Sequence, residues 1–283
     1  MQRSCSRSPC ASRGRHDLEP PREQNDYLRC SLGSSNAMLI ALFADVHANR
    51  EALTACLDDA AREGADSYVF LGDLVGYGPA PVWVVERVAG LIADGALAVQ
   101  GNHDAAAVDD KQTLGALAHT SILWTRKQLA PAHLELLDAL PLDLHEDDRL
   151  YVHASGCSPQ DWIYMLSARE AFQSFRATAQ RLTFCGHTHT PALFNESATS
   201  LPHQHVPVDN MPMPLLSQRR WIAVLGAVGQ PRDKNPAACY ALLDTVSNRL
   251  TYRRVHYDVD VTARKIVAAG LPEVLAKRIV LGA

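Results

Sequence analysis

The sequence lacks the features of a secreted or membrane-spanning protein. Its seven cysteines form no CxxC pair and are odd in number, which argues against a disulfide framework and is typical of the reducing cytoplasm. No apolar stretch is long enough to cross a bilayer, and residues 1–37 contain no apolar segment of the secretory-signal type. We therefore expect a cytoplasmic protein without a membrane partner.

An excess of positive charge is missing as well. The net charge is −4, and because residues 1–37 hold six arginines and four acids, the rest of the chain carries −6. An acidic body of this kind disfavours binding to duplex nucleic acid. An anionic substrate would suit it only if bound cations reverse the local sign.

The organisation of the chain is simple. Residues 1–37 are rich in Ser, Arg and Pro and show no periodicity, so we predict a disordered N-terminal extension. We predict that residues 38–283 form a single domain. Within it, helical patterns fill about 105–140 and about 262–281, the second of them broken near Gly270.

Apolar runs and helical patterns alternate in the first half of this domain. The runs 39–43, 68–71 and 96–99 each precede a helical pattern, which indicates parallel strands with right-handed crossovers in an α/β fold. Two further strands are predicted at 150–152 and 182–185, on either side of a helix over 167–180. Residues 192–257 hold short runs typical of antiparallel strands, with a loop at 195–220.

Polar side chains follow five of the predicted strands, at the point where each strand ends. Each of them alone could cap a helix, hold a turn or be a buried histidine with ordinary partners. Together they exceed that explanation, because buried polar groups without partners are costly. They are Asp45, His47, Asp73, Asn102, His103, His153, His187 and His189.

The chemistry of these side chains indicates a metal centre. Carboxylates, imidazoles and an amide oxygen without a thiolate suit Mn²⁺, Fe, Zn²⁺, Ni²⁺ or Mg²⁺ rather than a structural zinc ion. The ligands are too many for one ion and enough for two divalent ions. We expect the Asp73 carboxylate to bridge them, and such a pair lowers the pKa of a bridging water and clamps the oxygens of an in-line displacement.

The order of these motifs resembles the calcineurin-like metallophosphoesterase family. The resemblance rests on Asp45-x-His47, Gly72-Asp73, Gly101-Asn102-His103-Asp104, His153 and Gly186-His187-x-His189, and it covers about residues 38–257. It implies two packed mixed β-sheets flanked by helices (αββα). It also implies one ion on Asp45, His47, Asp73 and His189, and a second on Asp73, Asn102, His153 and His187. Asn102 and His103 would contact the substrate phosphate. His103 would protonate the leaving oxygen, and Asp104 beside it would be the second catalytic residue.

Two departures separate the chain from the family's phosphoprotein phosphatases. Those enzymes read Gly-Asp-x-x-Asp-Arg-Gly, whereas Gly76 and Tyr77 stand here at the second Asp and the Arg. The ending Gly76-Tyr77-Gly78-Pro79 resembles instead a bacterial branch described as phosphodiesterase-like or diadenosine tetraphosphatase-like. In the later motif of that branch, Arg232 is the candidate contact for a substrate phosphate, and an ion pair with Asp233 or another acid is the alternative.

The sequence therefore predicts hydrolysis of a small phosphomonoester or phosphodiester, nucleotides included, by a hydroxide that bridges two divalent metal ions. The alternatives are a phosphoprotein (Ser/Thr) phosphatase and a non-catalytic interaction module on the same fold. A nuclease is disfavoured by the charge of the domain. Composition and motifs leave the oligomeric state open.

Overall fold

The computed structural model describes residues 38–283, so the predicted disorder of residues 1–37 lies outside the described residues. The described part contains twelve strands and eight α-helices. The strands are β1 (Leu39–Phe43), β2 (Ser67–Leu71), β3 (Leu97–Val99), β4 (Asp143–Glu146), β5 (Arg149–Val152), β6 (Leu182–Cys185), β7 (Ala192–Asn195), β8 (His203–His205), β9 (Pro212–Pro214), β10 (Trp221–Val224), β11 (Ala238–Asp244) and β12 (Arg249–Val255). The helices are α1 (Arg50–Arg62), α2 (Pro81–Ala93), α3 (Asn102–Val108), α4 (Ala116–Gln128), α5 (Pro131–Ala139), α6 (Ala168–Ala177), α7 (Val259–Ala268) and α8 (Glu273–Leu281).

The strands form two six-stranded mixed sheets. The first sheet has the order β3-β2-β1-β11-β12-β9, and the second has the order β4-β5-β6-β10-β7-β8. The strands β1, β2 and β3 are parallel, as their βα units predict. In the second sheet β5, β6 and β10 are parallel, and the remaining pairs of both sheets are antiparallel.

The two sheets pack face to face, and helices cover their outer faces. Leu42 of β1 and Phe184 of β6 belong to one fully buried cluster between the sheets. Phe43 of β1 belongs to a second cluster, in which α1 and α2 cover the first sheet. Phe175 of α6 packs in a third cluster, on the outer face of the second sheet. The layers therefore follow the αββα order implied by the family resemblance.

Local sequence signals mark the first turns of α1 and α2, the helices that follow β1 and β2. The Asn49 side chain accepts a hydrogen bond from the backbone N–H of Ala52 and so caps α1. Pro81 occupies the first turn of α2, where its missing N–H costs nothing. None of the helices in residues 38–283 combines the length and the apolar character that a membrane span needs.

Three features of the sheets differ from the expectations. The strand β4 was missed, because its sequence Asp-Leu-His-Glu shows no apolar run. The predicted loop 195–220 contains β8 and β9, two short strands at sheet edges with polar or proline-rich sequences. The strands within 192–257 pair antiparallel with one another, as predicted, but β10 also pairs in parallel with β6, which lies outside that range. That pairing joins distant parts of the chain, so no local pattern encodes it.

Candidate metal centre

All eight predicted side chains meet where five strands end. The strands β1, β2 and β3 deliver theirs from the first sheet, and β5 and β6 deliver theirs from the second. Each of the eight side chains is buried, with less than a tenth of its surface exposed. The site therefore lies at the edge shared by the two sheets, and it draws ligands from both.

The first group of side chains consists of Asp45, His47, Asp73 and His189, whose ligand atoms lie within 4.8 Å of one another. The Nε2 atom of His47 lies 3.6 Å from Asp73 Oδ2 and 3.9 Å from Asp45 Oδ1. The Nε2 atom of His189 lies 3.4 Å from Asp45 Oδ1. Two carboxylates and two imidazoles thus point at one small volume, as metal ligands do.

The second group consists of Asp73, His153 and His187, and it shares Asp73 with the first. The Nε2 atom of His153 lies 3.4 Å from Asp73 Oδ2 and 3.1 Å from His187 Nδ1. The Oδ1 atom of Asn102 lies 3.1 Å from the same Nε2 atom, so the amide oxygen joins this group. The arrangement places Asp73 between two sets of convergent acceptors.

The tautomers of the imidazoles explain why a cation fits here. The Nδ1 atoms of His47 and His189 lie 3.1 Å and 2.6 Å from the carbonyl oxygens of Val75 and Gln230, so each carries the proton and donates it. Their Nε2 lone pairs then face each other across 3.0 Å. His153 is held in the same way, with Nδ1 2.7 Å from the carbonyl oxygen of Leu71. A backbone carbonyl that fixes the far nitrogen is the usual support of a metal-ligating histidine.

The backbone is strained where these side chains project. Asp45, His47, Asp73, His187 and His189 all have φ between 47° and 67°, the left-handed region that non-glycine residues seldom adopt. Hydrogen bonds hold the turns in place: the N–H of His187 donates to Asp45 Oδ2 at 2.9 Å, and the N–H of His103 donates to Asp73 Oδ1 at 2.8 Å. Strain of this kind concentrates at functional sites.

Burial and neighbouring charges shift the pKa values of the ionisable groups in this site. Burial raises the pKa of Asp45 to about 8. Burial also opposes the charge of Asp73, but His153 and His103 outweigh it and hold the pKa of Asp73 well below its usual value. Burial disfavours the charged form of His153, yet the charge of Asp73 raises its pKa to about 9. Burial lowers the pKa values of four other imidazoles, those of His47, His103, His187 and His189. The candidate ligands His47, His187 and His189 are thereby kept neutral, as metal ligands must be.

His103 and Asp104 lie beside the two groups at the start of α3. The His103 ring packs edge-on against His47, with 4.8 Å between the ring centroids, and its buried Nδ1 atom has no hydrogen-bond partner among the described residues. The Asp104 carboxylate accepts hydrogen bonds from the N–H groups of Gly101 and Val75 at 3.0 Å and 3.1 Å. Burial raises the pKa of Asp104 to about 7. In this arrangement Asp104 ties two ligand-bearing turns together rather than bonding to the His103 ring.

Comparison with known proteins identifies the family. The family model described as the calcineurin-like phosphoesterase superfamily domain matches residues 38–248. The chain belongs to this superfamily.

Relatives of this calcineurin-like phosphoesterase support the assignment over nearly the whole described chain. An uncharacterised protein of Methanocaldococcus jannaschii is 33% identical over 255 residues, which cover 86% of this chain and 98% of the relative. A crystallised metallophosphoesterase from Sphaerobacter thermophilus is 40% identical, with a TM-score of 0.79 over 88% of this chain and 100% of its own. A hypothetical protein of Pyrococcus horikoshii shares the fold, with a TM-score of 0.70 and 20% identity over 87% of this chain and 98% of its own. The family is one of metal-dependent phosphoester hydrolases, and the two groups of side chains are candidate ligands of that kind.

Gly76 and Tyr77 mark where this calcineurin-like phosphoesterase departs from the phosphoprotein phosphatase motif. A Cβ atom on Gly76 would lie 2.3 Å from His103 Nδ1, and the φ of Gly76 is +86°. A side chain at this position would displace the His103 ring. The Tyr77 ring instead packs against both His103 and His47, at centroid distances of 4.5 Å and 4.7 Å.

Arg232 lies next to Tyr77 rather than in an ion pair. Its guanidinium carbon is 5.7 Å from the centroid of the Tyr77 ring, and its backbone N–H donates to the carbonyl oxygen of His189 at 3.1 Å. Its Nη2 atom donates to Gln230 Oε1 at 3.2 Å, while its buried Nε has no partner within residues 38–283. The neighbouring Asp233 pairs with Arg254. The ion pair that the sequence offered as the alternative for Arg232 is therefore not formed in the described chain.

Two aromatic residues for which the sequence predicts no role cover the second group. The Tyr164 ring stacks on the His187 ring, with 3.9 Å between centroids and 27° between planes. The Trp162 ring meets the His153 ring edge-on at 5.8 Å. The available signal was their position, since both lie in the irregular segment that follows the predicted strand end at His153.

Proposed function

We propose that this chain is a dimetal-dependent phosphoesterase that hydrolyses a small phosphomonoester or phosphodiester. The observation that carries the proposal is the pair of acceptor groups that share the Asp73 carboxylate. Their carboxylate oxygens and imidazole nitrogens converge on two small volumes, which is the arrangement that two cations stabilise.

The proposed ligands follow the two groups. Asp45, His47, Asp73 and His189 would hold one ion, and Asp73, Asn102, His153 and His187 would hold the other. When bound, a pair of divalent ions supplies Lewis acidity and lowers the pKa of a coordinated water. The carboxylate, imidazole and amide donors accept manganese, iron, zinc, nickel or magnesium.

The remaining polar side chains are proposed to act on the substrate. The His103 ring lies against the first group and would contact the phosphate and give a proton to the leaving oxygen. Asn102, which lies beside the second group, would contact the phosphate, and Arg232 would bind a phosphate oxygen with the guanidinium Nε–H that has no partner within residues 38–283. Asp104 would support this machinery through its hydrogen bonds to Gly101 and Val75.

The local structure at Gly76 favours a small phosphoester over a phosphoprotein. The aspartate and arginine of the phosphoprotein phosphatase motif have no counterpart at Gly76 and Tyr77, and a side chain at Gly76 would displace the His103 ring. For location we propose the cytoplasm, because the four cysteines among residues 38–283 are free thiols and three of them are buried.

The first test measures turnover and metal content together. Purified protein loaded with Mn²⁺, Ni²⁺, Fe²⁺ or Zn²⁺ should hydrolyse para-nitrophenyl phosphate or bis-para-nitrophenyl phosphate and should bind two ions per chain by elemental assay. Turnover should disappear with a chelator and return with added metal. A metal-loaded protein that turns over neither ester would favour a non-catalytic interaction module.

Two variants separate ligand from catalytic residue. Asp73→Asn should weaken the binding of both ions by more than about 100-fold. Loss of a residue that only hydrogen-bonds to a metal ligand weakens metal binding by up to about 100-fold, and loss of a direct ligand should cost more. Asp143→Asn, which alters a surface carboxylate paired with His145, is the matched control and should bind metal normally. His103→Ala should keep both ions but lower kcat by about 10²–10⁴-fold. Loss of metal from His103→Ala would contradict the role proposed for it.

A further inference from the structure

The segment 156–166 brings aromatic side chains to the metal centre. It connects β5 to α6 and contains a short 3₁₀ turn at Pro159–Asp161. Two of its residues, Ser158 and Trp162, have positive φ values of 52° and 51°. Met165 is buried in the cluster beneath the segment. These features hold the segment against the protein in a defined conformation.

Tyr164 combines a fixed position with an accessible ring. One face of the ring lies on His187, yet 46% of the residue is exposed. The adjacent Met165 is only 2% exposed, so the backbone that carries Tyr164 is anchored. The second face of the ring is thus open to solvent beside the proposed position of the reacting phosphate.

A positive charge shares this entrance. Burial raises the pKa values of the Tyr77 and Tyr164 hydroxyls, and the charge of Arg232 opposes the rise in both. The guanidinium of Arg232 lies over the Tyr77 ring, and its positive charge also favours the ionised form of the Tyr164 hydroxyl. A ligand that fills the entrance meets a cation for its phosphate and an open aromatic face for a planar group.

We propose that Tyr164 is the stacking platform for the base of a nucleotide, so the substrate is a nucleoside phosphoester. The inference rests on the proposed function, because it takes the phosphate to lie at the two metal groups. An aryl group bonded directly to the phosphate would lie over the ligands themselves. In a nucleotide the ribose separates the base from the phosphate, so the base can reach the Tyr164 ring, which is stacked on the outer face of His187.

Inhibition constants against the chromogenic ester test this proposal. Adenosine 5′-monophosphate and ribose 5-phosphate carry the same phosphate and ribose, and only the first carries a base. The wild-type protein should bind the nucleotide roughly 5- to 150-fold more tightly, since stacking one base on an aromatic ring contributes about 1–3 kcal/mol. Tyr164→Leu should bring the ratio of the two constants close to one, and Tyr164→Phe should retain it.

The control is Phe172→Leu, which removes an aromatic ring of nearly equal exposure, 45%, from the surface of α6. This variant should keep the wild-type ratio. A wild-type ratio near one, or an unchanged ratio in Tyr164→Leu, would overturn the stacking proposal. An equal loss in Tyr164→Phe and Tyr164→Leu would also overturn it, because the hydroxyl and not the ring would then bind the ligand.

The two proposals fail in different ways. If the metal-loaded protein turns over no chromogenic ester, the proposed function fails and the inference falls with it. If turnover and metal content are normal but the nucleotide has no advantage over ribose 5-phosphate, only the assignment of Tyr164 fails.

Discussion

At the scale of single residues, hydrogen bonds to the backbone fix the orientation of the imidazole rings in the candidate metal centre. His47, His153 and His189 each commit one nitrogen to a backbone carbonyl and present the other to a shared volume. The left-handed backbone at Asp45 and Asp73 aims their carboxylates at the same volume. The surrounding fold holds the backbone in this strained conformation, and a bound cation would stabilise the folded state further.

Gly76 provides a residue-scale prediction with a matched control. Gly76→Ala should lower kcat by at least about 10-fold. The new Cβ atom would lie 2.3 Å from His103 Nδ1, so the His103 ring would have to move out of its position. Gly64→Ala places an alanine at a nearly equal φ, +81°, but with nothing within 4 Å. It should lose about 1 kcal/mol of stability from backbone strain and keep full activity. Steady-state kinetics and urea unfolding check both variants, and equal activity in the two would contradict the contact argument.

The site could be predicted at the residues that follow strands, because Asp73 and His153 are polar residues at the end of apolar runs. Tyr77, Trp162 and Tyr164 could not be assigned a role in this way. Their contacts with His103, His153 and His187 arise only when separate turns meet, and aromatic residues in a turn have no periodicity that marks them.

At the scale of elements, α1 and the turns around it are joined by one buried amide. The Asn49 side chain caps α1 and donates hydrogen bonds to the carbonyl oxygen of Gly229 at 2.9 Å and to the Tyr257 hydroxyl at 3.1 Å. The Thr262 hydroxyl of α7 donates to Asn49 Oδ1 at 3.2 Å. The helix that follows the first ligands is thereby tied to the later motif and to α7.

Asn49→Ala should therefore be much more costly than removal of an ordinary cap. We expect a loss of about 2–4 kcal/mol, from the missing cap and from buried groups left without partners. Ser167→Ala removes the cap of α6, an exposed hydroxyl that accepts from the N–H of Arg169 and donates to the Glu170 carboxylate, and should cost about 1 kcal/mol. Urea unfolding of the two variants measures the difference. Equal losses would show that the Asn49 amide acts as a simple cap.

The elements that the sequence predicted best are those with strong local signals. The strands β1, β2 and β6 were evident as apolar runs, and α1 and α2 carry recognisable first turns. The edge strands β8 and β9 carry no such pattern, since their residues are largely exposed. Their pairing is decided by neighbouring strands, which is tertiary information.

At the scale of the whole molecule, the buried ionisable groups make stability depend on pH. An unfolded histidine has a pKa near 6.5, and burial lowers the folded pKa of four histidines, that of His187 to about 3. Between these values the unfolded chain binds more protons, so the free energy of unfolding falls as the pH falls. Asp45 and Asp104 have folded pKa values raised to about 8 and about 7, so they bind more protons in the folded chain and add stability as the pH falls. These two carboxyl groups are outnumbered by the four histidines. His153, raised to about 9, stabilises below pH 6.5, and this contribution is lost as the pH rises through 9.

The chelated protein should therefore lose stability on acidification below about pH 6. His187→Gln should reduce the slope by about one proton, or about 1.4 kcal/mol per pH unit. His203→Gln alters an exposed histidine of β8 and should leave the slope unchanged. Urea unfolding at several pH values with a chelator present provides the measurement, and an unchanged slope in His187→Gln would contradict the role of burial.

The pairing of β1 with β11 has a consequence for synthesis of the protein. Leu39 of β1 lies opposite Asp244 of β11. The ribosome makes β1 near the start of the domain and makes its neighbour β11 near the end. Until the ribosome has released residues 238–244, one edge of β1 has no neighbour from its own sheet, and a bare strand edge invites pairing with other chains. Closure of the first sheet is therefore a late event for the nascent chain, and before it the chain most needs protection from aggregation.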